Sequence, residues 1–282
     1  MYDLIIVGLG PAGINAAIYG KRSNLNILVL EKETPGGKLN SIPEIQNYIG
    51  YGNISGPELA TNFYRHFRSL DIPMKREEVL ELKLEDNIKT VKTNEGVYKA
   101  KAIIIASGRG QKKLAGFEHL KINYCALCDA NLYDGKEVLL VGNNNQAIEE
   151  AKYLSDIVKK VYFLYEGDLS IEKDNIEIIN DEIIDIIHEE GRIKEAIFKN
   201  KKIKIDGLFV NLGSGPATYF CKSLGITDDN GYITVNNNQE TNIEGIYACG
   251  DIVKKEIYQI INAASEGAIA ALNAGKYVRK RN

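Results

Sequence analysis

A glycine-rich turn near the start of the chain restricts the fold more than any other feature of the sequence. Residues 3–7 are an apolar run that leads into Gly8-Leu9-Gly10-Pro11-Ala12-Gly13; residues 13–22 are typical of a helix, and residues 26–30 form a second apolar run that ends before Glu31. In such a β-α-β unit the glycines let a diphosphate approach the backbone at the helix N-terminus, and an acid about twenty residues later bonds a ribose. The spacing therefore predicts a dinucleotide-binding unit at the start of the chain.

A second β-α-β pattern begins at residue 137, but its glycine-rich loop is altered. Residues 137–141 and 160–165 are predicted strands, and residues 146–156 are a predicted helix. The loop between the first of these strands and the helix reads Gly142-Asn143-Asn144-Asn145-Gln146-Ala147, with Asn144 where the pattern has its second glycine. We expect the Asn144 side chain to point to where the backbone would meet a diphosphate, and we predict an impaired nucleotide site in a second Rossmann-like fold.

A pair of cysteines lies between the two patterns, in the sequence Cys125-Ala126-Leu127-Cys128-Asp129. The chain has four cysteines in 282 residues, too few for a disulfide-stapled secreted scaffold. A C-x-x-C pair is typical of a redox dithiol or of half a zinc site, but zinc needs four ligands and the sequence has no second such pair or His pair. We therefore predict no metal, a catalytic dithiol with Asp129 as a proton carrier, and two core cysteines, Cys221 and Cys249.

The composition excludes several classes of function. Hydrophobic residues make up 44% of the chain, charged residues make up 26%, and the net charge is −3. These values are ordinary for a soluble protein of two domains, and they predict no nucleic-acid or membrane partner. The sequence has no apolar run long enough for a membrane helix and no basic, apolar leader at its N-terminus, so we expect a cytoplasmic location.

Three further motifs complete an ordered set with the first loop and the dithiol: Gly36-Gly37, Ala106-Ser107-Gly108 and Cys249-Gly250-Asp251. The set resembles the low-molecular-weight thioredoxin reductases along nearly the whole chain. The resemblance implies an α/β fold of two Rossmann-like, three-layer ββα dinucleotide-binding domains, the second inserted into the first. It implies an FAD-binding domain at residues 1–113 and 243–282, an inserted domain with the dithiol at residues 114–242, and a homodimer.

The resemblance also implies roles for individual residues. Cys128 would lie against the flavin, Cys125 would attack the disulfide of thioredoxin, and Asp129 would carry the proton. The residues that would bind FAD are Gly8, Gly10, Pro11, Ala12, Gly13, Glu31, Lys32, Gly37, Lys38, Leu39, Asn47, Ala106, Ser107, Gly108, Gly250, Asp251, Gln259 and Ile260.

The sequence departs from the ordinary members of this family where they bind NADPH. Besides Asn144, the second predicted strand ends in Leu164-Tyr165-Glu166-Gly167-Asp168, without the basic residues that bind a 2′-phosphate, and the family's Arg-Gln pair is Tyr258-Gln259. These losses resemble the ferredoxin-dependent flavin thioredoxin reductases, which implies reduced ferredoxin as the electron donor. Ferredoxins are usually acidic, so we expect a basic docking face, with Lys254 and Lys255 as candidates.

Three other functions stay open. Glu166 lies 24 residues after Gly142, close to the 23 residues between Gly8 and Glu31, so it has the spacing of an acid that binds the ribose of NADH. Because asparagine tolerates left-handed backbone, the loop itself can form, which leaves an NADH-dependent thioredoxin reductase as an alternative. An FAD-dependent dithiol oxidase that uses oxygen is the second alternative, and a flavin-bound redox sensor without catalysis is the third.

Overall fold

The computed structural model describes residues 1–85, 88–117, 120–189 and 191–281, and its contacts divide the chain into two compact units. The first unit is Met1–Arg109 with Pro216–Asn282, and the second is Gly110–Gly215. Within the described ranges, none of the helices combines the length and the apolar character that a membrane span requires.

The secondary structure alternates between strands and helices in both units. In chain order the elements are β1 (Tyr2–Val7), α1 (Pro11–Arg22), β2 (Ile27–Leu30), α2 (Gly56–Arg68), β3 (Met74–Lys75), β4 (Val79–Glu85), β5 (Ile88–Thr93), β6 (Val97–Ile105), β7 (Arg109–Gln111), α3 (Ala126–Asp129), β8 (Glu137–Gly142), α4 (Asn145–Ser155), β9 (Lys160–Leu164), β10 (Ile176–Ile179), β11 (Ile183–Glu189), β12 (Arg192–Phe198), β13 (Lys202–Lys204), β14 (Gly207–Asn211), β15 (Ser214–Pro216), β16 (Ile246–Ala248) and α5 (Ile260–Lys280). Short 3-10 helices cover Gly37–Ser41, Ala130–Tyr133 and Tyr219–Leu224.

The first unit is built on a sheet with the order β3-β2-β1-β6-β5-β4, in which β16 also pairs with β6. β1 is parallel to β2 and β6, whereas β4, β5 and β6 form an antiparallel meander. Leu4 and Ile6 of β1 pack in a core cluster with α1 and α5. Ile5 and Val7 pack on the opposite face with β4 and β5. Because both faces of β1 are covered, its last four residues, Leu4–Val7, are a continuous apolar run.

Helices α1 and α5 approach each other closely on one face of this sheet. A Cβ placed on Gly267 of α5 would lie 2.1 Å from the carbonyl oxygen of Ala12, so only glycine fits at this crossing. The Asn15 side-chain amide donates a hydrogen bond to the carbonyl oxygen of Ala264 at 2.6 Å. The two helices therefore fix the position of the turn that precedes α1.

Like the first unit, the second unit has a parallel sheet between a layer of helix and a layer of antiparallel strands. Its parallel sheet has the order β10-β9-β8-β14, and the strands β11, β12 and β13 form a separate antiparallel sheet. Val138 and Leu140 of β8 pack with α4, whereas Leu139 and Val141 pack with the antiparallel sheet. The latter two share a cluster with residues of β11, β12 and β13. The prediction of two Rossmann-like, three-layer domains is confirmed.

The compact units and the predicted domain boundaries differ at one end. The unit boundary after Arg109 lies close to the predicted boundary after residue 113, but the predicted boundary between residues 242 and 243 lies inside the first unit. Residues 216–242 belong to the first unit because Phe220, Cys221 and Ile226 pack under its antiparallel meander. The assignment of FAD to one unit and of the dithiol to the other stays a prediction about function.

Candidate redox site

The first glycine-rich loop leaves an open cradle at the start of α1. A Cβ at Gly13 would lie 2.0 Å from the carbonyl oxygen of Gly8, so the loop is tightly closed on its inner side. At Gly10, by contrast, an added Cβ would meet no other described atom within 4 Å, its chain neighbours aside. Gly10 is also the N-cap of α1 and provides no side-chain cap. The first N–H groups of α1 therefore face space that a phosphate can fill, and this part of the structure fits a dinucleotide.

Glu31 follows β2 and holds this loop in place. Its carboxylate is buried and accepts hydrogen bonds from the backbone nitrogens of Leu9 at 2.6 Å and Glu33 at 2.8 Å, one at each oxygen. Each carboxylate oxygen can accept another hydrogen bond, as a ribose hydroxyl would require. Glu31 thus supports the loop in addition to the ribose role that we predicted for it.

Other predicted FAD residues from distant parts of the sequence meet in the first unit. The backbone nitrogen of Gly36 donates to the carbonyl oxygen of Leu9 at 2.8 Å, which places the Gly36-Gly37 turn beside the first loop. The Asn47 side-chain amide donates to the side-chain oxygen of Gln259 at 2.9 Å, although the two are 212 residues apart. Ile260 packs against the small core cluster that contains Leu39.

Not every predicted FAD residue has its polar group turned towards open space. The Ser107 hydroxyl donates to the carbonyl oxygen of Ala217 at 2.9 Å, and the backbone nitrogen of Ala217 donates to Gly108 at 3.0 Å. The side chains of Lys32 and Lys38 are exposed, and Lys32 lies 3.4 Å from a carboxylate oxygen of Glu33. The Ser107 hydroxyl therefore bonds the backbone, whereas the charged ends of Lys32 and Lys38 lie at the surface.

A part-buried ion pair holds the turn at Gly250 and Asp251. The backbone nitrogen of Gly250 donates to Oε2 of Glu266 at 2.8 Å, and Nζ of Lys255 is paired with the same oxygen. The Lys255 side chain is only 13% exposed. Most of the Lys255 side chain is thus covered and its charge is paired with Glu266, which favours Lys254 as the candidate for a basic docking face. Lys254 is exposed, 3.8 Å from Asp228. Sequence reasoning missed Glu266, whose signal is a single acid in an Ala-rich helix.

The dithiol is a formed disulfide at the start of the second unit. Cys125 and Cys128 are bonded, with their Cα atoms 5.3 Å apart, and Cys125 is the N-cap of α3. The backbone nitrogens of Cys128 and Asp129 both donate to the carbonyl oxygen of Cys125 at 3.2 Å. Cys128 is exposed, whereas Cys125 and Asp129 are half-buried. Cys221 and Cys249 are buried free thiols, and burial raises the pKa of Cys221 to about 12.

The second glycine-rich loop is closed by its own side chain. Asn144 is the N-cap of α4, and its side-chain oxygen accepts a hydrogen bond from the backbone nitrogen of Ala147 at 3.0 Å. Its side-chain nitrogen donates to the carbonyl oxygen of Asn211, at the end of β14, at 2.9 Å. The carboxamide oxygen thus occupies one of the backbone donors that a phosphate at this helix N-terminus would use. Asn211 is buried and was not anticipated from the sequence.

An acidic side chain lies behind this closed loop. Burial raises the pKa of Glu150 on α4, and the nearby Asn211 side chain partly offsets that effect. Glu166, just past the end of β9, is exposed. The surroundings of the second loop therefore supply carboxylates where a 2′-phosphate requires cations.

Comparisons with known proteins agree with this arrangement. The model of the pyridine nucleotide-disulphide oxidoreductase family matches residues 2–267. A thioredoxin reductase from Bacillus subtilis is 33% identical, over 99% of this chain and 96% of the relative, and a 34.2 kDa protein in the rubredoxin operon of Clostridium pasteurianum is 37% identical, over 98% and 97%. The crystal structure of a ferredoxin-flavin thioredoxin reductase from Clostridium acetobutylicum is 34% identical, covers 99% of this chain and 98% of that one, and has a TM-score of 0.65.

Proposed function

Because the chain belongs to the pyridine nucleotide-disulphide oxidoreductase family, among the low-molecular-weight thioredoxin reductases, we propose that it passes electrons from reduced ferredoxin through FAD and the Cys125–Cys128 dithiol to thioredoxin. The observation that carries the choice of donor is the hydrogen bond from Ala147 to Asn144, which closes the second nucleotide loop. We also propose that the enzyme is a cytoplasmic homodimer, as the family resemblance implies.

The first unit fits FAD as the bound cofactor. The open cradle at Gly10 would hold the diphosphate, and the remaining acceptor capacity of Glu31 would bond the ribose. The Gly250-Asp251 turn, held by Glu266, and the Asn47–Gln259 pair would contact the rest of the molecule. When bound, FAD would accept electrons one at a time and deliver them as a pair to a disulfide, a conversion that no protein side chain performs alone.

The dithiol carries the exchange with thioredoxin. The Cys125 thiolate attacks one sulfur of the thioredoxin disulfide, forms a mixed disulfide and releases a thioredoxin thiolate, which takes up a proton. The Cys128 thiolate then attacks Cys125, re-forms the Cys125–Cys128 disulfide and releases the second thioredoxin thiolate. Two electrons pass to thioredoxin, and Asp129, which follows Cys128 directly in the sequence, would exchange the protons.

The donor is inferred from the second unit. Asn144 caps α4, and the acids Glu150 and Glu166 lie near the loop where binding of a 2′-phosphate would need basic residues. A solved structure that covers 99% of this chain is named a ferredoxin-flavin thioredoxin reductase. A single-electron donor needs no nucleotide site, so closure of the second glycine-rich loop would not impair electron transfer from ferredoxin to the flavin. The Bacillus subtilis relative is named a thioredoxin reductase, a name that states the electron acceptor and not the donor.

An anaerobic titration of the purified flavoprotein tests this proposal. NADPH, then NADH, then ferredoxin reduced by an independent source is added while the flavin absorbance is followed. We expect bleaching by ferredoxin alone, followed by reduction of thioredoxin in a coupled assay. Rapid bleaching by NADPH or NADH contradicts the proposed donor. Fast reoxidation of the flavin when oxygen is then admitted, with no thioredoxin reduction, supports a dithiol oxidase instead.

An NADH-dependent thioredoxin reductase is the second candidate. It is favoured by Glu166, an exposed acid two residues past the end of β9. NADH would have to displace the Asn144 side chain from the N-terminus of α4. Bleaching by NADH but not by NADPH in the same titration supports this candidate.

A further inference from the structure

The segment that carries the dithiol is closed at its base by one hydrogen bond. The side-chain nitrogen of Asn123 donates to the hydroxyl of Tyr133 at 3.0 Å, so residues on either side of Cys125 and Cys128 are tied together. The same nitrogen donates to the carbonyl oxygen of Leu208 at 3.0 Å, on β14. Both protons of the Asn123 amide are thus used, one within the segment and one to the sheet.

The backbone of Asn123 is also part of the sheet. Its nitrogen donates to the carbonyl oxygen of Leu208, and its carbonyl oxygen accepts from the nitrogen of Val210, both at 2.9 Å. Asn123 is buried, with 8% of its surface exposed. The N-terminal side of the dithiol segment is therefore fixed to β14 two residues before Cys125.

The Tyr133 ring fixes the other side of the segment. A Cβ placed on Gly207 would lie 2.2 Å from the Tyr133 ring, so the ring rests directly on the backbone of β14. Tyr133 also meets Phe209 edge to face, with ring centroids 5.3 Å apart, and Nζ of Lys136 lies 5.4 Å from the Tyr133 ring centroid. Packing and hydrogen bonding thus hold Tyr133 against the same strand that holds Asn123.

We infer that Asn123 and Tyr133 are positioning residues for the redox dithiol: they hold the segment between them closed after reduction, so that the two thiols stay within reach of each other. Neither residue is bonded to a sulfur, so the Asn123–Tyr133 hydrogen bond can persist after the Cys125–Cys128 bond is broken, although it then has to order a freer segment. The inference rests on the proposed use of this pair as a reversible dithiol.

The thermodynamic consequence follows from the freedom of the reduced segment. While the Asn123–Tyr133 hydrogen bond closes the base of the segment, breaking the disulfide gives the segment only a small increase in conformational entropy. Opening the base frees the reduced form but not the cross-linked form. The equilibrium protein disulfide + 2 glutathione thiols ⇌ protein dithiol + glutathione disulfide, in which two electrons and two protons pass to Cys125 and Cys128, therefore shifts towards the dithiol.

The experiment measures this equilibrium in the full-length flavoprotein. Wild type, Tyr133→Phe, Asn123→Ser and the double variant are equilibrated anaerobically in glutathione buffers at fixed pH, acid-quenched, alkylated and analysed by peptide mass spectrometry. Tyr133→Phe keeps the ring on Gly207 and removes only the hydroxyl. We expect its equilibrium constant to shift about two- to tenfold towards the dithiol, the range of one net hydrogen bond. The double variant should shift by less than the product of the single effects, since both single changes break the same bond.

Tyr153→Phe is the matched control. Tyr153 packs in the same core cluster, and within the described parts of the chain no hydrogen bond of its hydroxyl is found. Its equilibrium constant should equal that of wild type. Cys221 and Cys249 serve as internal references because both are buried thiols outside the pair.

Two results would overturn the inference: an unchanged glutathione equilibrium in both Tyr133→Phe and Asn123→Ser, or an equal shift in Tyr153→Phe. The glutathione measurement needs neither ferredoxin nor thioredoxin, so it stands if the proposed electron donor is wrong. Conversely, normal ferredoxin-linked turnover with an unchanged equilibrium in the variants rejects only the positioning role.

Discussion

The side-chain oxygen of Asn144 lies 3.0 Å from the backbone nitrogen of Ala147 and caps the helix that follows the second glycine-rich loop. Gly10 is the N-cap of the helix after the first loop, and it provides no side-chain cap. Because an N–H group that bonds a side-chain oxygen is not available to a phosphate, one loop is closed and the other is open. A difference of one side chain thus separates two units of the same architecture.

Replacing Asn144 removes this cap. We expect Asn144→Ala to lower the free energy of unfolding by about 1 kcal/mol, the usual value of an N-cap, because the first turn of α4 loses its acceptor. Asn145→Ala is the control, since Asn145 is exposed and already inside the helix. Urea unfolding followed by circular dichroism measures both. Equal effects of the two substitutions would show that the Asn144 side chain does not act as a cap.

Glu31 has two functions in the structure, and its substitution tests both. In Glu31→Gln one oxygen becomes an amide nitrogen, which cannot accept the hydrogen bond from Leu9 or from Glu33. We expect FAD binding to weaken by at least about tenfold, the effect of losing a charge-assisted hydrogen bond in the loop. Titration of the apoprotein with FAD, followed by flavin fluorescence, measures the dissociation constant. Glu33→Gln should bind FAD as wild type does, because Glu33 contributes only its backbone to this contact.

The cysteine pair is tested against the buried cysteines. Cys125→Ser and Cys128→Ser should each abolish thioredoxin reduction and leave FAD bound, because each removes one partner of the disulfide. In Cys125→Ser the remaining Cys128 thiolate, if it lies against the flavin, should add a long-wavelength charge-transfer band. Cys221→Ser should retain activity, since Cys221 is buried and free. Coupled reduction of thioredoxin under anaerobic conditions is the measurement. Full activity in either variant of the pair would exclude the dithiol as the reacting group.

The layers of both units follow from the sequence because strong local patterns and long-range packing agree in them. β1 and β8 are continuous apolar runs, and each run is followed by a turn and a helix in the place that a parallel sheet requires. The C-x-x-C spacing likewise predicts a redox pair, and the structure has Cys125, the N-cap of α3, bonded to Cys128 in the first turn of that helix. Patterns of this kind involve residues close together in the sequence, so they can be recognised from the sequence alone.

Other parts of the site are not contained in local patterns. The Asn47–Gln259 contact joins residues 212 positions apart, and the Glu266–Lys255 pair depends on how α5 crosses the Gly250 turn. Lys255 has the sequence context of a surface lysine, yet in the structure most of its side chain is covered and its charge is paired with Glu266. Single charged residues in Ala-rich or Lys-rich stretches gave no signal that distinguishes a buried partner from a solvated one.

Glu150 predicts a pH dependence for the second unit. Burial raises the pKa of Glu150, so its ionised form is less favourable in the folded state than in the unfolded state. The folded state is therefore favoured below the unfolded pKa of this group, and that advantage is lost as the pH rises through the folded pKa. We expect Glu150→Gln to be more stable than wild type at pH 7 and equally stable at pH 4.

Thermal unfolding at the two pH values tests this expectation. Glu149→Gln is the neighbouring control, because Glu149 is exposed and paired with Lys152 at 2.7 Å. It should lower the unfolding temperature slightly or leave it unchanged at pH 7. A destabilised Glu150→Gln at pH 7 would indicate that the Glu150 carboxylate is held by an attractive contact that outweighs its burial.

Substitutions of the adjacent residues Lys254 and Lys255 distinguish a lysine that stabilises the fold from one that is available for docking. Lys255→Met leaves the Glu266 carboxylate below the surface with the backbone nitrogen of Gly250 as its remaining donor, so we expect a loss of about 3 kcal/mol in the free energy of unfolding. We also expect weaker FAD binding, since the Gly250 turn loses its anchor. Lys254→Met should change stability by less than about 0.5 kcal/mol, because Lys254 is exposed and its pair with Asp228 is long.

The docking role is read from the rate of flavin reduction by ferredoxin at several salt concentrations. If Lys254 attracts an acidic donor, Lys254→Glu should slow this reaction at low salt and approach the wild-type rate at high salt, since screening removes the difference. Lys276→Glu is the control for total charge, because Lys276 is a surface lysine in the last turns of α5. Equal slowing in both variants would show that net charge, and not a face beside the Gly250 turn, governs the encounter with ferredoxin.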